Sequence, residues 1–316
     1  MDNKIRIGVS SCLLGHPVRY NGGHKQDRYI TNILSAYFEF VPVCPEVECG
    51  LPVPRETMHL AGDPENPRLV TTSTGIDYTE KMKCFCEQRI AALKKEDLGA
   101  FIFKKDSPSS GLQRVKVYDN SGKVQKKGRG LFAEAFVKHF PLLPVEEEGR
   151  LNDIRLRENF IERVFCYYRW KTFLKTNPNY KKLVDFHSRH KLQIMAHSPK
   201  HLSKMGKLAA SGKNFARGEL LDQYQKNLME AMALKATVKK NVNVLYHIMG
   251  HFKTLISADE KKELLEAIDQ YSRPIVPLVV PLTLVKHYAR KYNVTYLHNQ
   301  VYLEPHPAEL MLRNHV

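Results

Sequence analysis

A chain of 316 residues with 43% apolar side chains can build ordinary hydrophobic cores and is too apolar for a disordered polymer. Its length favours two domains over one, and no run approaches 18 consecutive apolar residues, which argues against a membrane span. The net charge of +16 is uneven: residues 1–150 carry 22 Lys and Arg against 19 Asp and Glu, leaving 27 against 14 in the remainder. A basic half beside a near-neutral half is the footprint of a polyanion-binding domain attached to something else, although a solvated basic surface has the same composition. Six cysteines do not make a disulfide scaffold at this length. Without an export signal they are expected to be free thiols or metal ligands in a reducing cytoplasm.

In chain order, residues 5–10 read as a strand entering the turn Ser11-Cys12-Leu13-Leu14-Gly15. Residues 28–38 have helical spacing, and Phe40–Val43 is a second apolar run before Cys44. Residues 51–75, rich in Pro, Gly and polar groups, predict an irregular loop. Residues 76–95 predict a helix with Tyr78, Met82, Phe85, Ile90 and Leu93 on its buried side. Gly99–Phe103 is a third short strand, Val115–Tyr118 runs into a turn at 119–122, and Leu131–Phe140 is helical. This rhythm predicts an α/β domain, a mostly parallel sheet covered by helices, over residues 1–145. The stretch 140–149, rich in Pro and Glu, reads as a linker. Beyond it, 151–176, 179–193, 197–210, 217–239, 241–256, 259–270 and 277–292 all read as helices, so residues 150–316 are expected to form an all-α domain, with the tail from 299 packing back onto the bundle.

Three turns follow strand-like runs and carry sulfur or hydroxyl groups: Cys12, then Cys44-Pro45-Glu46 with Cys49, then Ser107-Pro108-Ser109-Ser110-Gly111. Strand ends of an open α/β sheet are where ligands bind, so the three are expected to converge on one site. Thiolates there favour a soft metal or an iron–sulfur cluster, and no paired C-x-x-C suggests structural zinc. Glu46 is placed to act as a general base, or else to pair with Arg55 or Arg19. Ser107 and Ser109 either cap the turn or handle protons. Cys84, Cys86 and Cys166 read as packing residues.

These motifs resemble the TudS-type thiouracil desulfidases: Ser-Cys12-Leu-Leu-Gly, Pro-Val-Arg19-Tyr20-x-Gly-Gly23-His24-Lys25, Val-Cys44-Pro-Glu46, Gly50-Leu-Pro-x-Pro-Arg55 and Ser107-Pro-Ser-x-Gly111. The remainder resembles the helical domain fused to that module in the RudS branch, through His187-x-x-His190-Lys191, Met195-Ala-His197-Ser, Asn241 to His251 and the tail around His306. The resemblance implies a tRNA desulfidase converting 4-thiouridine to uridine on a [4Fe-4S] cluster held by three cysteines, with one iron open to the thiocarbonyl sulfur. It implies that Glu46 activates the water that attacks the base carbon, that Ser107 assists proton transfer, and that sulfur leaves as sulfide.

Cys12 and Cys44 match two ligand positions, but the third falls on Ser110. Either Cys49 supplies the missing thiolate, or Ser110 ligates weakly, or the cluster is lost and the chain is a non-catalytic tRNA-binding protein. The basic region 181–217, with Lys191, Lys200, Lys204 and Lys207 among its cations, suits an RNA backbone. His247 and His251, four apart, are a weaker metal candidate, since no H-E-x-x-H glutamate accompanies them; a hydrogen-bonded core pair is the commoner outcome.

Overall fold

The computed structural model describes residues 4–119 and 121–315. The chain divides into two compact units, Met1–Asn152 and Asp153–Val316. In the first, strands Ile5–Ser10 (β1) and Phe38–Val43 (β2) precede a single helical turn, Pro45–Glu48 (α1). Met58–Ala61 (β3), Arg68–Thr71 (β4), Thr79–Leu93 (α2) and Ala100–Phe103 (β5) follow, and then Val115–Tyr118 (β6), Val124–Gly128 (β7), Leu131–His139 (α3) and Val145–Glu147 (β8).

One sheet has the order β2-β1-β5-β8 and is parallel throughout. Its two central strands are nearly continuous apolar runs, as parallel strands buried on both faces are. Gly8 is required in β1 because a Cβ there would lie 2.2 Å from the Phe101 ring. Phe101 and Phe103 stack at 4.2 Å and pack on Phe132 and Phe136, which fixes α3 to the sheet.

A second sheet, order β4-β3-β6-β7, corrects the expected irregular loop at 51–75. Its strands β3 and β4 have four residues each, too short for a clear alternation, yet Leu60 and Leu69 are fully buried. The stretch read as a linker is corrected too: β8 lies inside it and belongs to the parallel sheet. Residues 28–38 form one wide turn over Tyr29–Ile33 and a 3-10 turn over Leu34–Ala36 in place of a regular helix. On α2 the buried side is Met82, Cys86, Ile90 and Leu93, with Phe85 half-buried and Cys84 exposed. The turn after β6 closes through Gly122 N–H donating to Asp119 O at 3.0 Å; Asn120 of that turn, and Met1–Asn3, lie outside the described residues.

The second unit is helical: Ile154–Lys175 (α4), Tyr180–His197 (α5), Pro199–Ala210 (α6), Arg217–Ala233 (α7), Val238–Met249 (α8), Ala258–Ser272 (α9), Val279–Lys291 (α10) and Thr295–His298 (α11). The break expected at 240 between two helices falls earlier, at 234–237, because Leu234 is extended and Thr237 caps α8 through the Lys240 N–H, and α8 ends at Met249 in place of 256. Cys166 is buried, as expected of a packing residue. No helix among the described residues is long and apolar enough to cross a membrane.

The tail returns to the bundle through a buried ion network. Glu162 on α4 takes hydrogen bonds from Arg313 Nη2 and His197 Nε2, each at 2.7 Å. Burial alone would raise the Glu162 pKa, but Arg313 and His197 outweigh it and hold the carboxyl well below the ordinary range. Stability from this pairing is therefore full above the ordinary glutamate pKa and lost as pH falls through the depressed one. Glu162→Ala is expected to cost about 3 kcal/mol at pH 7, since it breaks a buried pair and leaves the Arg313 guanidinium only the longer contact to Glu158, at 3.6 Å, as its acidic partner among the described residues. Urea unfolding of wild type and variant checks this: their difference should narrow below about pH 4.

Candidate functional site

Parallel pairing brings the carboxyl ends of β1, β2 and β5 side by side, and a cavity of about 400 Å³ opens there. Cys12, Cys44, Glu46, Ser107 and Ser110 all line it. Each is held by local backbone. Cys12 sits in a 3-10 turn, Ser11–Leu14, closed by Gly15 at φ +94°, where a side chain would be strained. Cys44 is the residue before α1, with its N–H bonded to Glu48 Oε1 at 2.7 Å. The serine turn is gripped by the start of α3: Leu131 N–H donates to Pro108 O, and Phe132 and Ala133 N–H both donate to Ser109 O.

The polar groups form one connected array. Glu46 Oε2 lies 3.5 Å from Cys44 Sγ, and Glu46 Oε1 accepts a very short hydrogen bond from Ser109 Oγ. Ser109 Oγ lies 3.1 Å from Ser107 Oγ, which also accepts from the Ser110 N–H at 3.0 Å. Arg55 Nη2 stands 4.0 Å from Glu46 Oε2, so the ion pair expected for this carboxylate is present with Arg55. Desolvation, opposed by Lys104, pushes the Cys12 thiol up to about 11; desolvation and the Glu46 charge push Cys44 up to about 12. Two buried thiols beside a carboxylate are an unfavourable place for thiolates unless a cation is bound there.

Cys49 is not among the cavity residues. The single turn of α1 carries it to the side of α2, where its thiol donates to Glu46 O at 3.2 Å and lies near Lys81 and Cys86. The thiols lining the cavity are therefore Cys12 and Cys44, with the buried hydroxyl residue Ser110 in the same lining. No group of three His, Cys, Asp or Glu side chains among the described residues is arranged to hold a metal ion. The donor set fits a soft-metal group at two corners and offers oxygen at the third.

Sequence reasoning missed the central place of Ser109, which is fully buried and links Glu46 to Ser107. It also missed Lys104, which follows β5 directly, lines the cavity and donates its backbone N–H to Ser10 Oγ at 2.9 Å. A residue immediately after a central parallel strand is the signal that could have found it.

In the second unit, Lys200, Lys204 and Lys207 are exposed along one face of α6, while Met205, Leu208 and Ala209 are buried. Lys191 lies apart from them on α5, half-buried, with Nζ 4.9 Å from the Tyr296 ring centroid. His247 and His251 are both exposed, which corrects the core pair expected of them, and His251 stacks on Tyr296 at 4.4 Å.

Residues 7–148 match the family model described as 2-thiouracil desulfurase. The chain is also 33% identical over 153 residues to the uncharacterized protein YbbK of Bacillus subtilis (strain 168), covering 47% of this chain and 99% of that protein. The chain belongs, through residues 7–148, to the 2-thiouracil desulfurase family. Residues 191–307 match a second model, a protein of unknown function designated DUF1722. The uncharacterized protein YbgA of Escherichia coli (strain K12) is 29% identical over 165 residues, 52% of this chain and 98% of that protein. A solved structure of a [4Fe-4S]-dependent thiouracil desulfidase, TudS, is similar at 29% identity and TM-score 0.38, over 48% of this chain and 95% of that one.

In the desulfurase-family unit, Gly130 keeps the serine turn in place by having no side chain: a Cβ would lie 2.4 Å from the Ser109 carbonyl. Gly130→Ala is expected to cost about 1–3 kcal/mol by forcing the turn off the start of α3, read by denaturant unfolding. An unchanged midpoint would show that the contact is slack.

Proposed function

We propose that the protein removes sulfur from thiolated uracil, converting 4-thiouridine in tRNA to uridine without net redox change. The observation that carries this reading is the convergence of Cys12, Cys44, Glu46, Ser107 and Ser110 on one cavity at the ends of three parallel strands. Cys12 and Cys44 would hold a [4Fe-4S] cluster, with the Ser110 hydroxyl at the third position. When bound, such a cluster supplies a Lewis-acidic iron with affinity for the thiocarbonyl sulfur.

The chain's own residues supply the proton handling. Glu46 Oε2, held by Arg55, is the base toward the water that attacks the base carbon. Glu46 Oε1 is tied through Ser109 to Ser107, so a proton taken at Glu46 has a hydroxyl path to the Ser107 side of the cavity. The exposed lysines of α6, Lys200, Lys204 and Lys207, together with Lys191, supply phosphate contacts for the RNA. Extraction of a base from structured RNA needs such contacts to offset unstacking.

Anaerobic reconstitution followed by iron and acid-labile sulfide determination tests the cofactor. Cys12→Ala and Cys44→Ala are expected to lose bound iron, Cys49→Ser to retain it, and Ser110→Cys to bind it more tightly against a chelator. The reconstituted wild type should release sulfide from 4-thiouridine tRNA and erase its thiouridine absorbance. Colourless protein that still binds tRNA in a salt-sensitive way would select a non-catalytic binding protein instead.

A further inference from the structure

Beside the cavity, within the same unit, lies a second and larger depression of about 700 Å³. The two adjoin, sharing Met58, Lys105, Asp106 and Pro108 as a common wall. Its floor is the outer face of the second sheet. Val115 and Val117 of β6 point to the core, and the alternation puts Lys116 and Tyr118 on the opposite face. Tyr118 packs edge-on against His59 of β3 at 5.0 Å, which gives this face an aromatic element.

The charges on this face are arranged against the stability of the free protein. Lys116 on β6 is directly opposite Lys126 on β7, a like-charge cross-strand pair that disfavours the strand pairing. Both are exposed, and neither has a carboxylate partner among the described residues. Arg114, exposed and also without such a partner, is held at φ +56°, a left-handed conformation that glycine would adopt more easily. The carboxylates close by are already engaged. Glu147 accepts the Leu112 and Gln113 N–H groups, and Asp106 pairs with Lys105 at 3.8 Å. An opposed lysine pair and a third unpartnered cation lining one groove beside the cavity are an arrangement that a polyanion would relieve.

We propose that this groove binds the phosphodiester backbone of the RNA strand flanking the nucleotide whose base enters the cavity. The desulfurase-family unit thereby grips the polynucleotide itself, and the helical unit is not its sole RNA contact. A single small anion would answer one cation, whereas a run of phosphates answers Arg114, Lys116 and Lys126 together. The exposed edge of the His59–Tyr118 pair offers a ring for an adjacent unpaired base.

The proposal deepens the desulfidase reading, and a sulfur-free probe separates the two. Binding of a fluorescein-labelled oligouridylate to the full chain is measured by anisotropy over a range of salt concentrations, for wild type and for Lys116→Gln combined with Lys126→Gln. Loss of two phosphate contacts is expected to reduce the log–log salt slope by about 1.4 and to weaken binding roughly 25-fold at about 0.1 M salt. The variant removes a repulsive pair, so its thermal midpoint should equal or exceed that of the wild type. If it does not fold, Arg114→Gln serves, with an expected slope change of about 0.7. Wild-type slope and affinity in the variant, or a wild type that does not bind the probe, would overturn the proposal. Absence of sulfide release from reconstituted wild type, with the variant still defective in probe binding, would sink the desulfidase reading alone.

Discussion

Parallel pairing of β1 with β2 on one side and β5 on the other is the constraint from which the cavity follows. Parallel strands all end at the same edge, so residues some 30 and 90 positions beyond Cys12 reach the same edge as it does. The pairing in turn requires central strands that can be covered on both faces. That is why β5 is wholly apolar and why glycine occupies position 8, where Phe101 of β5 takes the space of a side chain. Once β5 is fixed, the serine turn after it has little freedom. The first N–H groups of α3, which have no partner inside the helix, are satisfied by Pro108 and Ser109 carbonyls. The same bonds that complete α3 therefore set the geometry of Ser107, Ser109 and Ser110.

That rigidity bears on the electrostatics. The cavity holds two thiols that burial keeps protonated and a carboxylate within 3.5 Å of one of them. Loading it with a cationic group would reverse the local balance, drawing protons from the sulfurs and favouring the charged form of Glu46. A serine at 110 weakens this response. Its alkoxide is far harder to form than a thiolate and is a poorer match for a soft metal, so a cationic group placed here would gain less binding free energy from residue 110 than from a cysteine. The hydrogen bonds that fix the turn use the Ser110 backbone N–H and not its side chain, so the identity of residue 110 is free to change without disturbing Ser107 or Ser109.

The sequence made the cavity more legible than the fold around it. Cys12, Cys44 and Ser107 each lie within four residues of the end of an apolar run, and strand ends of parallel sheets are where side chains meet a ligand, so a local pattern was enough. Cys49 was opaque for the opposite reason. Only the handedness of one turn, α1, decides whether its thiol faces the cavity or α2, and spacing alone is silent on that. The second sheet was hidden because its strands have four or five residues and are interrupted by Pro and Gly, so composition read as loop while two leucines carried the burial. Strand β8 was hidden by charge. Its glutamates looked solvent-facing, yet Glu147 satisfies the Leu112 and Gln113 N–H groups and Glu146 meets Arg150 at 2.7 Å. The helical unit was readable from period alone except for boundaries such as the one that Thr237 sets by capping α8 three residues before the break the period suggested.

Charge also distinguishes two ways of meeting a polyanion. On α6 the lysines stand on one helix face with an apolar face behind them, an arrangement that costs the helix little when no ligand is present. On β6 and β7 the lysines oppose each other, and a strand pair tolerates that only because Val115, Val117 and Leu60 anchor the sheet from beneath. A feature that costs stability in the free state and borders the cavity is better explained by what it could bind than by what it supports. The net excess of positive charge in the second unit is therefore a poor guide to where a polyanion would be held most closely. Near-neutral composition in the first unit conceals a groove whose carboxylates are spent on backbone amides and neighbouring cations, leaving Arg114, Lys116 and Lys126 without acidic partners among the described residues.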